Sequence, residues 1–306
     1  MNNLKFPKAL YDDAIVKDGE PLSLHTSMKV GGKADYYIRP RSEEAAVDVV
    51  GALGELGVPY FIMGGGTNVI ARDGGFRGAV IDIGKGMDAV KIDAARGIVV
   101  AGAGAALRTV AKLSAEACLS GLEPISGIPG TVGGALYMNA GSYGGDMSQT
   151  VIQARVYDAT AGKTKMMSLY EMRLGYRTSV FQTGGPYVIL SVTFQMEARD
   201  PADIRSDMRK YARRRSAKQP MEVASAGSFF KRPYGGYAGE LIERAGMKGE
   251  RVGGAQVSEK HAGFIVNTGG AMASDVLTLM ERVREVVLKD SGVLLEPEPL
   301  IIGEDD

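Results

Sequence analysis

Glycine sets the first limit on this chain: 42 of its 306 residues are glycine, and they fall in clusters. The clusters are Gly64-Gly65-Gly66, the stretch from Gly127 to Gly145, and the stretch from Gly235 to Gly254. Glycine takes positive φ freely and lets a backbone approach a ligand closely, at an entropic cost on folding. No fixed period connects the clusters, which argues against a solenoid. In a chain long enough for two modest domains or one large one, such loops are expected to wrap around something large and polar.

Bulk composition narrows the partners. Lys plus Arg number 36, as do Asp plus Glu. Net charge therefore gives no reason to expect nucleic acid or an anionic membrane, although a local anion site stays open. No apolar run approaches the roughly 18 residues that a membrane-spanning helix needs. Met1 to Leu10 lacks the apolar region of a signal peptide. The single cysteine, Cys118, excludes an intramolecular disulfide. It lies in the apolar-periodic stretch Leu113 to Leu119 and is expected to be small core filler. These features fit a reducing cytoplasm. With only His25 and His261 and no Cys/His cluster, no metal site is expected. No feature specifies an oligomeric partner.

Along the chain, residues 1–20 read as a variable lead-in. Ser42 is placed to cap a helix from about Glu43 to Leu56, with Ala46, Val47, Val50, Leu53 and Leu56 as its apolar face and Gly57 and Pro59 as its stop. Pro59 to Met63 reads as a short buried strand running into the triple glycine, a layout that resembles a phosphate-binding turn. Further strands are predicted at 78–83, 97–102, 151–157 and 187–195, with a helix from about Ala105 to Ala117. In the last of these strands Val188, Leu190, Val192 and Phe194 share one face, as in a half-exposed strand. Asp200-Pro201 is a helix start, and a change of composition there marks the start of a second domain. The following helix carries Ile204, Met208 and Tyr211 and then Arg213-Arg214-Arg215, which reads as a solvated helix end. A last amphipathic helix runs from about Ser274 to Lys289, Gly292 ends it, and an edge strand closes at Ile302. The mixture of strands, helices and irregular glycine loops predicts an α+β protein. The dinucleotide fingerprint of a Rossmann domain is absent: Gly102-x-Gly104 has Leu107 where the third glycine belongs.

Two stretches carry chemistry. In Gly64-Gly65-Gly66-Thr67-Asn68, successive glycines let N–H groups converge on an anion, although a plain flexible hairpin fits equally well. In Ser126 to Ala135, ending in Met138-Asn139-Ala140-Gly141, the residues are small and apolar where a surface loop is normally polar. That favours backbone contact with a bound cofactor over a simple turn.

Together these stretches resemble the FAD-binding domain of the vanillyl-alcohol-oxidase (PCMH) superfamily. More specifically, the chain resembles the UDP-N-acetylenolpyruvoylglucosamine reductase family, from His25-Thr26 and Gly31-Gly32 to its C-terminus. The resemblance rests on Gly175-Tyr176-Arg177-Thr178-Ser179, Lys218-Gln219-Pro220, Ala226 to Pro233, Ala255 to Phe264, and Leu295-Glu296-Pro297-Glu298. It implies an FAD-binding domain of two α/β subdomains over residues 1–200, split near residue 80, and a C-terminal α+β substrate domain over 201–306. The active site is then expected at the junction of the two parts. It implies non-covalent FAD, NADPH as co-substrate, and a small-molecule substrate, UDP-N-acetylglucosamine enolpyruvate, reduced to UDP-N-acetylmuramate in peptidoglycan biosynthesis. Cofactor contacts are expected from Gly64, Gly65, Gly66, Thr67 and Asn68, and from Gly127, Ile128, Pro129, Gly130, Thr131, Gly133, Gly134, Asn139 and Gly141. Neither glycine loop holds a histidine or cysteine to which flavin could be attached.

The implied chemistry delivers hydride to the methylene carbon and leaves negative charge on the neighbouring carbon and its carboxylate, so the site must direct cations or acids at that charge. The resemblance assigns Arg177 to the substrate carboxylate, which its planar fork can bind bidentately. It assigns Ser228 as proton donor, where the residues alone favour a serine capping a turn beside the aromatic pair Phe229 and Phe230. Glu296 and Glu298 are both candidates for an acidic group, and spacing cannot choose between them; the family position favours Glu298. Lys218, Lys231 and His261 are expected to line the substrate pocket. Arg232 stands where other members often have asparagine, and Gln182 to Pro186 is too short for the tyrosine-bearing loop of longer members.

Overall fold

A computed structural model of the chain describes residues 12–183 and 185–305. The lead-in before residue 12, including Met1 to Leu10, lies outside the described residues. The chain forms two compact units. The first comprises Tyr36–Gly65 and Gly78–Arg213 with the described residues up to Asp18. The second gathers Gly19–Asp35, Gly66–Arg77 and the chain from Arg214 onward. Two short N-terminal segments therefore fold with the C-terminal part.

The first unit is built on a five-stranded antiparallel sheet in the order Lys163–Ser168, Val151–Asp158, Tyr187–Gln195, Ile98–Gly102 and Val90–Asp93. The middle strand departs from the half-exposed reading. Val188, Leu190, Val192 and Phe194 are buried on one face, but Ile189 and Thr193 are buried on the other. A central strand with a neighbour on each edge and the helix Val132–Tyr137 packed against it has no solvent face to offer. A second sheet, in which Tyr60–Met63 runs parallel to Phe76–Asp82, also contains Lys33–Pro40 and Ala14–Pro21, the latter from the segment read as lead-in. The unit boundaries fall inside three of its strands.

The helix Glu43–Glu55 starts and stops where expected, but its buried face is Ala45, Ala46, Val49, Val50 and Leu53; Val47 is only half-buried and Leu56, at the helix end, is exposed, which corrects the expected apolar face. The Ala45 N–H donates to Ser42 Oγ at 3.1 Å, and Gly57 takes φ +65° just past the end. The helix Leu107–Glu116 is shorter than its apolar pattern. Cys118 falls beyond it, in a left-handed turn at φ +61°, and is exposed. The core-filler expectation is thus corrected: the helix ends at Glu116, two residues before the cysteine. Gly102 and Gly104 serve packing, since a Cβ on either would sit 2.1 Å from the carbonyl oxygen of Met87 or of Gly84.

The second unit centres on an antiparallel sheet ordered Ala224–Ser228, Phe264–Asn267, Ala255–Val257, Arg251–Val252, against which the helix Ala273–Ser291 packs. Ala273, Val276, Leu279, Met280, Val283 and Val287 form its buried stripe. Asp73 holds that helix's start, its two carboxylate oxygens accepting the Ala273 and Ser274 N–H groups at 2.8 Å each. Gly292 ends the helix at φ +73°. Leu300–Ile302 pairs in parallel with Val69–Ala71, so the closing strand is joined to one of the N-terminal segments. The helix Pro201–Lys218 is capped by Asp200, whose carboxylate accepts the Ala202 N–H at 2.7 Å. Only Ile204 in it is fully buried, and Arg213 and Arg214 are exposed, as a solvated helix end requires. No helix among the described residues is long and apolar enough to cross a membrane. Among the same residues no group of His, Cys, Asp and Glu side chains is placed to hold a metal ion.

Candidate active site

The two glycine loops of the first unit meet at Gly64 and Thr131. A Cβ on Gly64 would lie 2.4 Å from Thr131 Oγ1. Thr131 in turn caps the Val132–Tyr137 helix, its hydroxyl oxygen accepting the Gly134 N–H at 3.3 Å. The loop is knitted inward: Val132 and Gly133 N–H donate to the carbonyls of Ala105 and Ala103 at 2.8 Å, and Leu107 N–H donates to that of Gly130 at 3.1 Å. Gly133 must be bare, since its Cβ would lie 2.9 Å from the Ala103 methyl. The outer face is left to Gly65, Pro129 and Gly134, all exposed, and to the half-buried Gly127, Ile128 and Gly130. The result is a cradle of main chain and small side chains. Its entrance is pinned by Glu123, a buried carboxylate that accepts from Ser120 Oγ at 2.6 Å and Gly121 N–H at 2.7 Å.

Arg177 stands beside the end of the second loop. Gly175 and Thr178 close a tight turn by exchanging main-chain hydrogen bonds at 3.0 and 3.3 Å, and Arg177 occupies it at φ +53°. A positive φ at the third turn position is a place that favours glycine. An arginine there is strained and must be held. Its Nη2 donates to the Gly141 carbonyl at 3.1 Å, and the guanidinium lies 5.3 Å from the Tyr176 ring centre. Tyr143, which had no signal to single it out beyond its glycine-rich setting, caps the adjacent hairpin at φ +54° and stacks on Tyr211 with ring centres 5.2 Å apart.

In the second unit, Gly66 takes φ +60° and passes so close to His25 that a Cβ would lie 2.0 Å from its carbonyl oxygen. Two residues on, Asn68 Nδ2 donates to the Glu298 carbonyl at 3.2 Å, and the Asn68 carbonyl accepts from Leu300 N–H at 2.9 Å. Thr67 lies half-buried between them. The predicted cofactor residue Asn68 and the predicted acid Glu298 are thus directly tied. Ser228 is on the adjacent strand Ala224–Ser228: the Glu298 N–H donates to the Phe229 carbonyl at 3.0 Å. A register shift between Ser225 and Ser228, with Gly227 at φ +81°, turns Ser228 outward while Phe229 and Phe230 enter the core. The aromatic pair therefore anchors the segment from within. Glu296 is paired with Lys231: Lys231 Nζ holds the Glu296 carboxylate, and Lys231 N–H donates to the Glu296 carbonyl at 2.9 Å.

His261 is half-buried against Gly239 and Gly263, edge-on to Phe264 at 5.0 Å. Its Nδ1 accepts the Gly263 N–H at 3.1 Å, which leaves the ring proton on Nε2. Burial pushes its pKa down, and the charges of Lys218 and Lys248 act in the same direction against a backbone hydrogen bond and Glu243. Lys218 itself is exposed at the end of its helix, close enough for its charge to register on the imidazole. Arg232 lies over the Tyr237 ring at 4.5 Å.

Known proteins resemble this chain over both of its parts. Residues 34–167 match the family described as FAD binding domain, and residues 219–302 match that described as UDP-N-acetylenolpyruvoylglucosamine reductase, C-terminal domain. The UDP-N-acetylenolpyruvoylglucosamine reductase of Agathobacter rectalis is 45% identical over 295 residues, covering 93% of each chain. The chain belongs to the UDP-N-acetylenolpyruvoylglucosamine reductase family. The reductase of Clostridium kluyveri is 43% identical over 298 residues, covering 97% of this chain and 96% of its own. The crystal structure of the reductase of Thermus caldophilus aligns with a TM-score of 0.82 at 33% identity, covering 95% of this chain and all of that one. A cholesterol oxidase from Brevibacterium sterolicum, 16% identical with a TM-score of 0.50 over 65% of this chain and 40% of its own, shares the fold alone.

As a member of this reductase family, the protein is an oxidoreductase with FAD as its cofactor. The cradle fits such a group. Gly64, Gly133 and Thr131 bring two loops together, and the exposed Gly65 and Gly134 put no side chain in the way of a long polar ligand. One consequence for this reductase concerns pH. The unfolded chain binds a proton at His261 more readily than the folded one does. His261 therefore contributes stability that is present above the ordinary histidine pKa and is lost as pH falls through the folded value. Melting temperatures of wild type and His261→Gln between about pH 8 and 5 should converge with acid, the wild type losing more. Parallel curves would remove His261 as a source of acid lability.

Proposed function

We propose that this protein reduces the enolpyruvyl ether of UDP-N-acetylglucosamine enolpyruvate to UDP-N-acetylmuramate, a step of cytoplasmic peptidoglycan biosynthesis, with NADPH as reductant. Residues 1–200 serve FAD and residues 201–306 serve the substrate. The glycine loops at Gly64–Gly66 and Gly127–Gly134 would hold FAD, which would supply hydride chemistry, replenished by NADPH, at the methylene carbon of the substrate. Arg177 binds the substrate carboxylate and meets the charge that develops there. Ser228 gives its hydroxyl proton to the carbon bearing that carboxylate, so that hydride and proton together saturate the double bond. Glu298 serves as the acidic group on the same side chain of the substrate, while Lys218, Lys231 and His261 receive the sugar nucleotide. The family relationship supports the substrate class, and the observation that carries the residue assignment is Arg177: a charged side chain kept at a strained backbone position beside the cofactor loop.

The direct test is anaerobic. NADPH should bleach the flavin, and the enolpyruvyl sugar nucleotide should then restore its colour without oxygen. Flavin that is reduced but not reoxidised by that compound would sink the proposal, as would purified protein that does not take up FAD.

The choice of Glu298 is tested separately. Exposed ion pairs contribute little, and Glu296 is already held by Lys231. Glu296→Gln should change the rate of flavin reoxidation by substrate less than about threefold, while Glu298→Gln should lower it roughly a hundredfold. The reverse ranking would transfer the role to Glu296.

A further inference from the structure

We infer that Asn139 is the positioning residue for Arg177, and that its side chain serves the substrate-binding turn and not the cofactor. The inference rests on the assignment of Arg177 to the substrate carboxylate. Asn139 follows the Val132–Tyr137 helix at φ +43°, a left-handed conformation that asparagine tolerates better than most residues. It is 3% exposed, so its amide must be satisfied inside the protein. Its Nδ2 donates to the Gly175 carbonyl at 2.9 Å, and its Oδ1 accepts the Ser148 N–H at 3.1 Å. Both ends of the side chain are thus engaged within the unit.

The carbonyl it holds belongs to the first residue of the Arg177 turn. That same carbonyl accepts the Thr178 N–H, the bond that closes the turn. Further ties run between the turn's own flank and the same short stretch of chain. Ser179 Oγ and Gln182 Nε2 donate to the Tyr137 carbonyl at 2.6 and 2.8 Å, Gln182 Nε2 also reaches the Arg177 carbonyl at 3.3 Å, and Arg177 reaches Gly141. Residues 137–141 therefore form a template for the turn, and Asn139 is its one fully buried side-chain donor to it. The stretch that ends the cofactor loop also fixes where the guanidinium points. Displacement of the turn by an ångström is enough to spoil an aligned carboxylate contact.

Asn139→Asp places a carboxylate oxygen against the Gly175 carbonyl, and Asn139→Gly deletes the clamp while keeping the left-handed backbone. Three quantities are read for each: bound FAD per chain, the rate of flavin reduction by NADPH, and the rate of reoxidation by the enolpyruvyl substrate. FAD content and flavin reduction should stay within about threefold of wild type while reoxidation slows roughly ten- to a hundredfold. In an Arg177→Ala background, either change should add less than about twofold, because the residue it positions is gone. Loss of FAD, equal damage to both half-reactions, or full additivity with Arg177→Ala would overturn the inference. So would failure of both variants to fold, which would make Asn139 a structural residue only. If Arg177→Ala alone leaves reoxidation intact, the parent assignment fails instead.

Discussion

Arg177→Ala is expected to slow flavin reoxidation by the enolpyruvyl substrate about a thousandfold, while FAD content and reduction by NADPH stay near wild type. The reason is that the guanidinium is the permanent charge assigned to a carboxylate whose negative charge grows during hydride transfer. An interaction that strengthens on the way to the transition state is lost from the rate and not only from binding. Lysine restores the charge but not the planar fork, so Arg177→Lys should recover only a fraction of the rate. Stability gives an independent reading. At φ +53° any side chain is strained, and glycine is not. Arg177→Gly should therefore be more stable to denaturant than Arg177→Ala by about 1 kcal/mol, and equally inactive. A rate above a tenth of wild type for Arg177→Ala would remove the residue from the chemistry.

Ser228→Ala should slow the same half-reaction at least roughly a hundredfold and leave reduction by NADPH nearly normal, as loss of a positioned proton donor requires. The surroundings make this a clean substitution. The side chain is exposed, and the neighbouring Phe229 and Phe230 hold the segment from the core side. Removing one hydroxyl should leave the backbone at Gly227 and the hydrogen bond from Glu298 to Phe229 undisturbed. A fall in rate then reports the missing proton. Equal losses in both half-reactions would rule out the role.

Much of this architecture can be read from the chain where short-range chemistry decides it. The helix Glu43–Glu55 announces its ends through Ser42 and Gly57. Other features depend on distant partners. Ala14–Pro21 has an apolar start, a charged remainder and no alternation, and forms a strand beside Lys33–Pro40 in a sheet. Ile189 and Thr193 look like the open face of a strand until the sheet is assembled around them. The pairing of Lys231 with Glu296 spans 65 positions and has no local signal. Asn139 has the residue type of a ligand to the cofactor, and its tie to Gly175 exists only once the chain has returned 36 positions later.

The parallel pairing of Val69–Ala71 with Leu300–Ile302 bears on how the protein is made. Asn68 and Glu298 are 230 positions apart in the chain, so this contact cannot form on the ribosome until Glu298 itself has emerged. The early segment must wait, unpaired, through the synthesis of everything between. Such long-range closure is slow and leaves strand edges open to wrong partners. A chain cut before Leu300 lacks the strand with which Val69–Ala71 pairs.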